Sequence, residues 1–147
     1  MNQIHKKILI LTGAVLFLIG LLSGLSIQMF LNPRMGLSSH LAAIQGALVL
    51  LITGALWKYV QLTKGLSTLA VGSLVYGMYG FWLALTLSAI FGTSEATPIA
   101  GAGFSAEFWK EAMVQVILYS ATVACLLGAI ALIGGFWRGL QNDKKHN

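Results

Sequence analysis

The chain has 147 residues, 57% of them hydrophobic and 9% charged, where a soluble domain carries about 25% charged residues, so a water-soluble fold is excluded and an integral membrane protein is expected. Nine Lys and Arg against four Asp and Glu give a net charge of +5, but the basic residues stand at the ends of apolar runs and form no patch, which points to the lipid bilayer as partner and away from nucleic acid. The one cysteine, Cys125, lies inside an apolar run, which excludes a disulfide framework or thiolate cluster and leaves it a small buried hydrophobe.

Four segments are long enough to cross roughly 30 Å of hydrocarbon, which takes about 20 helical residues. They run over about 8–30, 39–59, 66–91 and 112–137, predicting a single all-α domain over 1–147, a four-span membrane bundle. The first follows Lys6 and Lys7 as a signal peptide would, yet its apolar run is too long and lacks a clear small-x-small cleavage site, so a retained helix is expected. Lys6, Lys7, Lys58, Lys64, Arg138, Lys144 and Lys145 fall on one side of such a topology, and only Arg34 and Lys110 on the other. Both termini are therefore expected in the cytoplasm, with the chain multi-pass in a bacterial-type inner membrane.

None of the helix interiors holds Asp, Glu, Lys or Arg. An ion-coupled carrier needs such a group near the bilayer centre, which argues against proton-coupled export. The polar residues left in or near the membrane include Gln28, His40, Gln45, Tyr76, Tyr79, Gln115 and Tyr119. His5 and His146 fall in polar ends, so His40 is the one histidine in the membrane region; a haem with two histidine ligands from one chain is not available, whereas a haem with one, or one shared between subunits, is.

The stretch NPRMGLSSHL, 32–41, leaves two readings of that histidine. With Ser38 or Ser39 capping the second helix, His40 sits in its first turn, hydrogen-bonded at the headgroup level. Alternatively its neutral imidazole offers one lone pair to a metal or haem iron. Residues 40, 44, 47 and 51 share a helix face that would line an apolar pocket beneath such a ligand.

In the third segment, VYGMYGFW (75–82) stacks Gly72, Tyr76 and Gly80 along one stripe, where ordinary helix packing or the approach of a flat molecule are both accommodated. Tyr76 and Tyr79 need partners for their hydroxyls in hydrocarbon, which makes them candidates to hold a substrate heteroatom. Gly20 and Gly24 form a small-xxx-small pair in the first. The third connection, TSEATPIAGAGFSAEFWKE, is longer than a link needs. Pro98, Gly101 and Gly103 suggest a folded cap over the outer face, and its GAG lacks the lysine and strand of a phosphate loop.

NPRMGLSSHL at 32–41, VYGMYGFWL at 75–83 and TPIAGAG at 97–103, spaced through a four-span chain of this length, resemble the hydroxylaminobenzene mutase family, related to the styrene oxide isomerases. The resemblance implies a membrane isomerase that turns an aryl hydroxylamine into an aminophenol, or an aryl epoxide into an aldehyde, with no added oxidant or reductant. It also implies a homo-oligomer, a trimer in the styrene oxide branch, with ferric haem b held by the histidine matched here by His40 and acting as Lewis acid on the oxygen of a small aromatic substrate. Tyr76 and Tyr79 are then the expected catalytic residues, with Gln45 in the substrate pocket and Thr97 to Gly103, including Pro98 and Gly101, as lid. The chain departs from the family pattern one to two turns beyond the histidine, where it reads Ala42, Ala43, Gln45 and Gly46, and at Phe81. The expectation from a different class is a noncatalytic haem-binding or structural membrane subunit of the same fold.

Overall fold

The computed structural model describes residues 2–143; Lys144, Lys145 and His146 lie outside the described residues. Four helices follow in chain order: α1 (Asn2–Leu25), α2 (Pro33–Ala55), α3 (Lys64–Phe91) and α4 (Phe108–Asp143), with short 3₁₀ turns at Ile27–Met29 and Trp57–Tyr59. No strand occurs among the described residues. All four helices are long and apolar enough to cross a membrane, where a helix satisfies every interior backbone group within itself.

The ends differ from those expected from hydropathy. α1 takes in His5, Lys6 and Lys7 and stops at Leu25, five residues before Phe30. Nothing before Lys6 breaks a helix, and long basic side chains extend from it to the polar interface. α2 starts at Pro33, not at residue 39, because Asn32 caps it: its side-chain oxygen accepts from the Met35 backbone N–H at 3.2 Å, and Pro33 stands at the first helical position, where a missing N–H costs nothing. α3 ends at Phe91, as expected, where Gly92 with φ of 67° supplies the left-handed cap that glycine tolerates. At 36 residues α4 is roughly 54 Å long and outreaches the hydrocarbon.

α1 packs along α2, α2 along α3 and α3 along α4, while α1 and α4 do not meet among the described residues. Close approach of α3 and α4 depends on Gly77, where a Cβ would run into the Cys125 sulfur and stand 3.1 Å from the Ala121 carbonyl oxygen. Cys125 is half-buried against that glycine. The main core joins α1, α2 and α3 through Leu9, Leu16, Ala47, Leu50, Val71 and Leu74, with Trp57 sealing one end. A smaller cluster of Ala84, Val114 and Leu118 lies between α3 and α4.

Candidate functional site

His40 is the eighth residue of α2, about 12 Å along the helix from its cap, so it is not in the first turn. Neither serine caps the helix. Ser38 donates to the Arg34 carbonyl at 3.1 Å. Ser39 is buried and its hydroxyl pairs with Thr86 at 2.6 Å, tying α2 to α3; Thr86 spends its own proton on the Trp82 carbonyl, so Ser39 is the donor.

The imidazole of His40 turns toward α1. Its Nδ1 is 2.7 Å from the Gly20 carbonyl oxygen, and a carbonyl only accepts, so Nδ1 carries the proton. Nε2 then holds the lone pair. It makes no hydrogen bond among the described residues, and His40 lies part-exposed at the α1–α2 seam. Exposed Leu21 and Leu25 on α1 and Leu37 and Leu41 on α2 flank that stretch. The ring fits because position 24 is glycine: a Cβ there would stand 2.7 Å from Nδ1 and 2.9 Å from Cε1.

Among the described residues no three His, Cys, Asp or Glu side chains gather as a metal-binding group. One imidazole of fixed tautomer with a free Nε2 is a poor cage for a bare ion. It is a fitting axial donor for a group that brings its own equatorial ligands, such as a haem.

The other expected site residues do not converge on His40. Tyr79 donates its hydroxyl to the Thr12 carbonyl at 2.9 Å; Thr12 and Gly20 are eight residues apart on α1, about 12 Å along its axis. Tyr76 is half-exposed and its hydroxyl lies 2.7 Å from Ser120 Oγ, which itself donates to Ile117, so Tyr76 is the donor to α4. Both tyrosines border an apolar cavity of about 290 Å³ with Trp82, Leu83 and Ile117. Gln45 is exposed near the middle of α2 and has no hydrogen-bond partner among the described residues. It lies five positions from His40, so the two point in different directions.

The third connection is a folded cap, held near its start and at its middle by side chains to which the sequence reading gave no such role. Asn32 is fully buried: besides capping α2, its amide donates to the Ala100 carbonyl at 3.0 Å and its backbone N–H to Ala89 at 3.0 Å. Arg34 donates to the Ala102 carbonyl. Glu111, 2% exposed, accepts from the backbone N–H groups of Ser94 at 2.9 Å and Glu95 at 3.1 Å. Gln115 donates to the Glu95 carboxylate at 2.6 Å. Gly101 is buried, with Ser94 Cα 2.6 Å from where its Cβ would be, while Pro98 and Gly103 are exposed. The cap covers the end of the molecule nearer His40.

His5 corrects the assignment of that histidine to a polar tail. It is buried in α1, its ring 5.7 Å from that of Trp57, with Nε2 3.4 Å from Thr68 Oγ1. Thr68 donates to the Lys64 carbonyl, so His5 Nε2 is the donor, and both His5 Nδ1 and Trp57 Nε1 are buried without partners. This histidine sits at the opposite end of α1 from Gly20 and takes no part in the His40 site.

The family model described as styrene oxide isomerase matches residues 5–137. The chain belongs to this family. Among curated relatives, the hydroxylaminobenzene mutase HabA of Ectopseudomonas oleovorans is 35% identical over 128 residues, covering 86% of this chain and 95% of that protein. HabB of the same organism, also a hydroxylaminobenzene mutase, is 38% identical over 124 residues, covering 83% and 76%. No solved structure matches the chain. As a member of the styrene oxide isomerase family with four membrane-length helices, this protein is a membrane isomerase, which answers the question left open between an enzyme and a noncatalytic subunit.

Proposed function

We propose that this isomerase converts an aryl hydroxylamine to an aminophenol, with haem b held through His40. The observation that carries the reading is the pairing of His40 Nδ1 with the Gly20 carbonyl at 2.7 Å, which leaves a lone pair on Nε2 at an open seam. Both curated relatives are named as hydroxylaminobenzene mutases, which favours the hydroxylamine over the epoxide for which the family model is named. When bound, a ferric haem would supply a Lewis acid for the substrate oxygen. The rearrangement is balanced without a co-reactant: the N–O bond breaks, a C–O bond forms on the ring, and the proton lost from that ring carbon is matched by one gained at nitrogen.

The chain's own residues have three tasks in this scheme. His40 would hold the group through Nε2, its Nδ1 being fixed by the Gly20 carbonyl. Leu21, Leu25, Leu37 and Leu41 provide an apolar setting that favours an aryl ring arriving from the bilayer and disfavours water, which would otherwise compete for the electrophilic ring. Tyr76 and Tyr79, whose hydroxyls are engaged with α4 and α1, act by shaping the α3 cavity. The unpartnered amide of Gln45 in a membrane-facing position supports a homo-oligomer, with three copies as the working stoichiometry, in which this face of α2 is covered. In this reading both termini lie in the cytoplasm, the protein in a bacterial-type inner membrane, and the 97–103 loop outward as a lid.

The test is an optical spectrum of protein purified in detergent after expression with haem precursor, alongside His40→Ala, followed by assay with phenylhydroxylamine and with styrene oxide. A Soret band in the wild type alone, with aminophenol formed, is the expected result. Equal haem content in both proteins would overturn the ligand assignment, and turnover of the epoxide alone would overturn the substrate.

A further inference from the structure

We propose that the last two turns of α1 form a tuning seat for His40, in which Gly24 makes room for the ring, the Gly20 carbonyl takes its Nδ1 proton, and Ser23 competes for that same carbonyl. The inference rests on the reading of His40 as an axial ligand and goes beyond it, naming the residues that position the imidazole and set how strongly it donates.

The geometry is specific to this end of the helix. Ser23 Oγ donates to the Gly20 carbonyl at 2.9 Å and His40 Nδ1 donates to it at 2.7 Å. In a regular helix the same oxygen also accepts from the backbone N–H of residue 24. Three donors thus meet one carbonyl, which has two lone pairs. Sharing leaves the 2.7 Å contact of Nδ1 weaker than an unshared one of that length would be, so the Nδ1 proton stays with the imidazole. A histidine whose proton is drawn off by a strong acceptor behaves more like imidazolate and enriches its metal in electrons. A histidine on a shared carbonyl remains a neutral, moderate donor, and the metal on its other nitrogen keeps more of its Lewis acidity. That suits an isomerisation in which substrate oxygen must be polarised and no electron is exchanged overall.

Gly24 serves the same seat sterically. A methyl at this position would lie 2.7 Å from Nδ1 and 3.4 Å from Cγ of His40, so the ring would have to leave the carbonyl. At Gly20 a Cβ would meet Ile44 Cδ1 at 2.8 Å and Ala43 Cβ at 3.0 Å, which holds α1 and α2 close enough for the bond to form. The small-xxx-small pair therefore provides a socket for one side chain as well as a helix contact.

Two measurements test the seat. In protein purified without haem, ¹⁵N NMR of labelled histidine should show His40 as the Nδ1–H tautomer, and Ser23→Ala should move the Nδ1 resonance in the direction of a stronger hydrogen bond. In haem-loaded protein, Ser23→Ala should keep occupancy while raising the iron–histidine stretching frequency of the reduced form and lowering the midpoint potential. Gly24→Ala should weaken haem binding about 10–100-fold, as loss of a partner that orients a metal-ligating histidine does. An Nε2–H tautomer, or a Ser23→Ala protein identical to wild type in the NMR measurement, would overturn the seat. Should the wild type take up no haem, the ligand reading fails by itself, and the tautomer and the Ser23→Ala resonance still decide the seat. A Gly24→Ala protein that does not fold leaves that decision to Ser23→Ala.

Discussion

Glu111, in the first turn of α4, closes on the backbone of Ser94 and Glu95, 17 and 16 positions earlier in the chain, one carboxylate accepting from both amides. It fastens the N-terminal end of the cap, as Asn32 fastens its middle. A buried carboxylate is used here as a backbone fastener.

Removing that clamp should free the loop before it melts the helices. Glu111→Ala leaves two amides short of an acceptor, at about 1–3 kcal/mol each, and Glu111→Gln, which keeps one acceptor oxygen, should cost less. Hydrogen exchange at Ser94 and Glu95 should accelerate strongly in the alanine variant while exchange in the α2 core stays near wild type. Unchanged exchange at both amides would refute the clamp.

Asn32 joins a helix cap to a loop bond, and two substitutions separate them. Asn32→Ser keeps an oxygen for Met35 N–H but loses the amide donor to Ala100; Asn32→Ala loses both. Loss of a cap alone costs about 0.5–2 kcal/mol, so thermal unfolding in detergent should rank wild type above Asn32→Ser above Asn32→Ala. An alanine variant as stable as the serine would show that the cap contributes nothing.

Tyr79→Phe removes the bond to the Thr12 carbonyl. Interhelical side-chain hydrogen bonds in membranes are worth about 0.6 kcal/mol on average, so a small loss of stability with turnover kept within a few-fold is expected. Steady-state kinetics beside a denaturation curve checks this, and a loss of turnover of about 100-fold, some 2.7 kcal/mol in the barrier, would place the hydroxyl at the reacting atoms.

His5→Leu should leave haem content and turnover unchanged, because His5 packs against Trp57 at the far end of α1. It discards a buried nitrogen with no partner and a long 3.4 Å contact to Thr68, so stability should hold or rise. Loss of haem in this variant would make His5, not His40 alone, a determinant of the site.

The spans were legible in the sequence because hydrocarbon selects for uninterrupted apolar runs, and the isolation of His40 within them marked it as the one candidate ligand. Their ends were harder to read. Asn32 followed by Pro33 is a start signal of the ordinary kind, but Arg34 and the small polar residues after it make the first two turns of α2 look like loop to a hydropathy window. His5 was lost for the opposite reason: Lys6 and Lys7 beside it mark the segment as polar, and contacts with Trp57 and Thr68, more than fifty positions later, bury it. Burial of Asn32 and Glu111 depends on partners 68 and 17 residues away, separations at which local pattern carries no information. The Gly20–Gly24 pair was visible, whereas its occupant was not, since the spacing describes a gap and not what fills it.

Because the socket of His40 is made from α1 and α2 alone, it is complete once the first helical hairpin has entered the bilayer. Tyr76, Glu111 and the loop between α3 and α4 contribute no atom to the hydrogen bond or to the gap that receives the ring. The first hairpin thus orients the imidazole by itself, and the later half of the chain closes over a site whose donor atom is already set.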